Sequence, residues 1–140
     1  MSLAVVSPMA ATDLQSFLAF DFGQQRTGVA YASRLMGQAR PEGSVHASGQ
    51  ARWPLIAKHI DKWQPEALVV GVPFHPDGAI HENTLQAQKF ARQLRARFGL
   101  PVFEVDERYS TTEARSQGVK DVDAASACVI LDQFLRSLNA

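Results

Sequence analysis

A second cysteine is missing from this 140-residue chain, so its one thiol, Cys128, has no intrachain partner. That excludes a disulfide-stapled scaffold and fits a protein kept in a reducing cytosol. Long apolar runs are missing as well. None approaches the roughly 20 residues that a membrane-spanning helix needs. Residues 1–16 are weakly apolar but lack the positive start of a signal peptide, and they read as a flexible extension ahead of one domain over residues 17–140. Nor is there an excess of charge of one sign, because 14 Lys and Arg balance 14 Asp and Glu. Strong nonspecific nucleic-acid binders carry a basic surface, so any such contact here has to come from a local cluster of cations. Four histidines, His46, His59, His75 and His81, show no zinc spacing. His75 and His81 flank a turn where a substrate could reach them.

What the chain does contain is an ordinary share of apolar residues, 46%, with 20% charged, as expected of a globular domain. Phe17 to Phe20 is an apolar run ending in a lone carboxylate, Asp21, followed by Gly23 and, after a polar turn, Gly28 and a second apolar run. This spacing predicts a β-hairpin. Asp21 is expensive to bury unless a cation faces it, either a metal ion or Arg26, and a turn-capping role fits the segment equally well. Gln38 to His46 predicts a third strand, and Pro41 and Gly43 push it to a sheet edge or a bulge. Trp53, Ile56, Ile60 and Trp63 recur at helical spacing up to Pro65, which places both tryptophans on a core-facing stripe. Ala67 to Pro73 is a continuous apolar run, the pattern of a strand covered on both faces.

Asn83 to Phe98 predicts a helix with one apolar stripe and an opposite face bearing Lys89, Arg92, Arg95 and Arg97. Gly99 and Pro101 close it. Val102 to Glu107 alternates like a strand. Ser110 to Glu113 has the form of a capping box that starts a short helix to Ser116. After Gly118, Asp123 precedes a helix with a wide apolar face holding Cys128. Early adjacent strands followed by strand–helix alternation predict an α/β domain with one mixed five-stranded sheet and helices on both faces.

Three acidic positions fall at element ends: Asp21, the Asp106–Glu107 pair and Asp123. Ligand sites in open α/β sheets gather at the carboxyl ends of strands. Strand alternation puts Glu107 on the face of Phe103 and Val105, and Asp106 with Glu104, which favours Glu107 as the inward group and keeps Asp106 as the alternative ligand. Clustered carboxylates either raise a pKa or recruit a hard cation, and oxygen-only ligands suit Mg2+ or Mn2+. Solvated helix and strand caps are the plainer reading of the same residues.

The chain resembles the YqgF (RuvX) family over about Phe17 to Leu138. The resemblance is carried by Asp21-Phe22-Gly23 with Arg26 and Gly28, by Val70-Gly71-Val72-Pro73 with Asp77-Gly78, by Asp106 to Thr111 with Glu113-Ala114, and by Val122 to Ala127. It implies a ribonuclease H-like nuclease domain over residues 17–140 and a metal-dependent endonuclease. The substrate implied is structured precursor rRNA, in 5′-end maturation of 16S rRNA, or a branched DNA junction. It also implies that Asp21, Glu107 and Asp123 form the catalytic, metal-binding triad. Arg26, Arg108, Ser110 and Thr111 become candidate phosphate contacts, joined by Lys89 and Arg92 of the basic helix face. Ala114 to Val122 is shorter and less basic than in many relatives, which removes phosphate contacts and keeps a non-catalytic binding module as a competing reading. Junction resolution would require a two-fold homodimer. The Asp-Phe-Gly segment also resembles the phosphate loop of actin-like ATPases, which need a second domain that 140 residues cannot supply.

Overall fold

The computed structural model describes residues 13–107 and 121–138. Strand β1 (Ser16–Asp21) and strand β2 (Thr27–Ser33) form the expected hairpin, with Asp21 opposite Gly28. Strand β3 (Arg40–Val45) adds to β2 at the sheet edge. A bulge falls between Val29 and Ala30, opposite the Pro41–Gly43 step. Pro41 has no N–H to give the ladder and Gly43 takes φ 98, so both residues suit that edge. Strand β4 (Ala67–Val72) pairs in parallel with β1, and strand β5 (Val102–Asp106) in parallel with β4. The order is β3-β2-β1-β4-β5, one mixed five-stranded sheet.

Helix α1 (Arg52–Trp63) leads into β4, and helix α2 (Glu82–Phe98) into β5. Helix α3 (Val122–Leu138) follows the last strand. Alternation along β1 splits the core in two. Phe17 and Ala19 face α3, where they meet Ala127, Ile130, Leu131 and Phe134. Leu18 and Phe20 face the other way, onto Trp53 and Ile56 of α1 and Phe90 and Leu94 of α2. Each fully buried large apolar side chain contributes about 1.5–3 kcal/mol, so β1 anchors both layers. Phe17 meets Phe134 edge-on at 5.1 Å, and Phe20 meets Phe90 edge-on at 5.9 Å.

Differences from the sequence-based expectations lie at element ends. Gln64 ends α1 in the left-handed conformation, φ 47, before Pro65. His81 caps α2: its Nδ1 accepts from the Asn83 N–H at 3.1 Å, while Thr84 Oγ1 accepts from the His81 N–H. The packed part also begins ahead of position 17, because Ser16 opens β1 and Leu14 packs on the core. The first 12 positions and the short helix expected from Ser110 to Ser116 lie outside the described residues. No helix among the described residues is long and apolar enough to cross a membrane.

Candidate active site

The parity that sends Phe17 and Ala19 toward α3 also sends Asp21 there, at the carboxyl end of β1. Along β5 the same alternation carries Phe103 and Val105 to the α3 side. Glu107, one step past the strand, continues that face and keeps its backbone in register by donating its N–H to Val72 O at 3.1 Å. Two glycines let the carboxylates approach. A methyl group at Gly28 would overlap the backbone carbonyl of Asp123, so only glycine allows the start of α3 to close onto β2. A methyl at Gly71 would overlap both the Glu107 carboxylate and Ile130.

Helix α3 begins one residue before Asp123, and Asp121 is its cap. Asp121 Oδ1 accepts from the Ala124 N–H at 3.0 Å, and its carbonyl from the Ala125 N–H at 2.9 Å. With the helix start satisfied by Asp121, the Asp123 carboxylate is left to face the hairpin turn. There Arg26 Nε lies 3.1 Å from Asp123 Oδ2. The Ser44 hydroxyl from the edge strand sits 2.9 Å from Asp121 Oδ1 and 3.4 Å from Asp123 Oδ2, tying β3 to the head of α3.

Asp21, Glu107 and Asp123 line one cleft of about 270 Å³, together with Phe22, Gly23, Gln24, Pro73, Asn83 and Gln86. Glu107 is buried, at 7% exposure, whereas Asp21 and Asp123 are half-buried. All-oxygen donors of this kind match a hard divalent cation in chemistry. Among the described residues, however, no three His, Cys, Asp or Glu side chains stand close enough together to hold one ion. Asp123 is instead engaged by Arg26. The amides of Gln24, Asn83 and Gln86 were not singled out in the sequence. Each lies in a turn or a first helical turns segment, where polar residues are expected anyway, so spacing gave no signal.

The remaining expected site residues divide cleanly. Asp106 is exposed and does not line the cleft. Arg26 is exposed at the cleft mouth, its side chain 61% accessible. Lys89 and Arg92 are exposed on α2. Arg108, Ser110 and Thr111 lie outside the described residues. His81 is engaged as a helix cap with the His75 ring 4.6 Å away. Trp53 is buried against Phe90, and Trp63 stacks on Tyr31 at 4.2 Å while donating to Glu42. Burial, with Asp132 and Glu42 near, pushes the Cys128 thiol up to about 12, which leaves it protonated and unreactive at neutral pH.

The family described as "RuvX: Holliday junction resolvase" matches residues 15–137. A protein of Polaromonas sp. (strain JS666) named "Putative pre-16S rRNA nuclease" is 66% identical over 138 residues, covering 99% of each chain. One of the same name from Albidiferax ferrireducens is 62% identical over 128 residues, covering 91% of this chain and 82% of its own. Among solved structures, Thermus thermophilus RuvC in complex with a Holliday junction substrate superposes with a TM-score of 0.57 at 17% identity, covering 89% of this chain and 96% of that one. At that identity the likeness speaks to the fold, which is ribonuclease H-like.

Proposed function

Given that the chain belongs to the RuvX family, we propose that it is a divalent-metal-dependent endonuclease that hydrolyses phosphodiester bonds in 5′-end maturation of precursor 16S rRNA. The observation that carries this reading is the convergence of Asp21, Glu107 and Asp123 on one cleft from three separate elements. In this reading the three carboxylates, which stand too far apart in the described residues to share one ion, draw together on Mg2+ or Mn2+ in the cytoplasm, within a nuclease domain whose packed part begins with Leu14 and β1, just ahead of the expected residue 17. A bound cation of this type supplies Lewis-acid polarisation of the phosphate and a more acidic water.

The chain's own residues do the rest. Glu107 is fixed by its burial and by the Gly71 gap, so its carboxylate is preorganised. The Arg26–Asp123 pair is open to solvent on the arginine side, and solvent-exposed pairs are worth about 0–1 kcal/mol. Transfer of the Arg26 guanidinium from Asp123 to a phosphate oxygen therefore costs little, and its fork matches phosphate geometry. Gln24, Asn83 and Gln86 offer hydrogen bonds to sugar or base along the cleft.

The test is cleavage of a precursor 16S rRNA 5′ fragment with Mg2+ by the wild type and by Asp21→Asn. Loss of a direct carboxylate should lower the rate by more than about a hundredfold, since even supporting residues around metal sites cost about 10–100-fold. Equal cleavage by the two proteins removes Asp21 from the site. A second reading, resolution of branched DNA, is favoured by the family's description. It requires a two-fold homodimer to make paired cuts, so a strict monomer at working concentration rules it out.

A further inference from the structure

Beside the carboxylate cleft lies a second one of about 370 Å³, and the two share Phe22, Gln24 and Gln86 as a common wall. Its lining includes two cations, Arg52 and Lys89, and no carboxylate. Arg52 is the unusual member. It is buried to 8% exposure, and among the described residues no acid pairs with it. One Nη donates to Gln24 O at 3.1 Å, while its Nε is buried without an acceptor. The guanidinium lies over the Phe22 ring, 4.8 Å from its centroid. A buried cation lacking an anionic partner is costly, and here burial alone lowers its pKa.

A second feature points the same way. Ser48, Gly49 and Gln50 of the same wall lead into the start of α1, a 12-residue helix. No side chain caps that start, and its first turn holds no acid. The positive end of the helix is thus uncompensated, and it opens on the cleft that already contains an unpaired guanidinium.

We propose that this cleft is a phosphate subsite, in which Arg52 and Lys89 hold a backbone phosphate of the strand that flanks the bond lying over Asp21, Glu107 and Asp123. The proposal rests on the nuclease reading above and adds to it a binding site on the opposite side of Phe22. Arg52 neutralises and orients the strand, and its hydrogen bond to Gln24 O links occupancy of the subsite to the loop that joins the two clefts.

The experiment is fluorescence-anisotropy binding of a labelled precursor 16S rRNA fragment in EDTA, where cleavage is silent, over a series of salt concentrations. Wild type, Arg52→Gln, Arg52→Lys and Lys89→Gln are compared. Arg52→Gln should weaken binding about tenfold and lower the slope of log K against log salt by about 0.7, the value for one lost phosphate contact on a single strand. Lys89→Gln, at an exposed position, should lower the slope similarly and keeps the test decisive if Arg52→Gln does not fold. Arg52→Lys should restore the slope but not the full affinity, because it keeps the charge and loses the fork. A partial folding defect reduces the active fraction without changing the slope. If wild type binds the RNA and both neutral variants keep its slope, the subsite is refuted while the nuclease reading stands. If wild type binds no RNA, both fall.

Discussion

Gly71 decides how deep Glu107 can sit. Its missing side chain is the space that the Glu107 carboxylate and Ile130 occupy, and in a close-packed interior a methyl cannot be added without displacing one of them. Gly71→Ala should therefore destabilise the protein by about 1–3 kcal/mol, as overpacking does, and lower the cleavage rate at least about tenfold, read by thermal unfolding and by the rRNA cleavage assay. Because the methyl acts through Glu107, its effect on cleavage should be largely absent in a Glu107→Gln background. At this scale the sequence was informative where periodicity applied. Alternation along the last strand separates Glu107 from Asp106, and the structure has the first buried and the second exposed. It was silent on Arg52, because an arginine opening a helix looks solvated until the neighbouring turn folds over it. The phosphate contacts expected at Arg108, Ser110 and Thr111 lie outside the described residues.

At the scale of elements, the head of α3 separates two jobs that the sequence left merged. From the sequence, Asp123 stands at the opening of the helix, where a carboxylate is normally engaged as a cap. Asp121 takes that role, two residues earlier. Removing it as Asp121→Ala should cost about 1 kcal/mol of stability and leave Ser44 only its longer contact, 3.4 Å, to Asp123 at the head of the helix. Cleavage by that variant should fall less than by Asp123→Asn, a ranking that rate measurements on the two proteins can check. Strand and helix limits were otherwise readable from Pro65, Gly99 and the Pro41–Gly43 step, because each breaks the backbone pattern for a stereochemical reason. Cap identity was not readable, since Asp121 and Asp123 have the same chemistry and only the folded turn distinguishes them.

At the scale of the whole molecule, the mixed sheet was legible because apolar runs and helical stripes alternate along the chain in a simple order. The cleft was only partly legible, since its amides come from a turn and from α2, which no local pattern links. The proposed cation gives a global readout: an ion that binds only the folded protein adds about 2.7 kcal/mol at a hundredfold excess over its Kd. For a domain of this size that raises Tm by on the order of 10 °C, so differential scanning fluorimetry with Mg2+ or Mn2+ should show a rise that Asp21→Asn abolishes. No rise in wild type would count for the non-catalytic binding module.

Helix α3 both covers one whole face of the sheet and delivers Asp123. A chain still emerging from the ribosome has already made Asp21 and Glu107 but exposes the sheet face and lacks the third carboxylate. On this reading, cutting activity waits on one docking event: a polypeptide whose α3 has not yet closed onto the sheet is harmless to RNA close by.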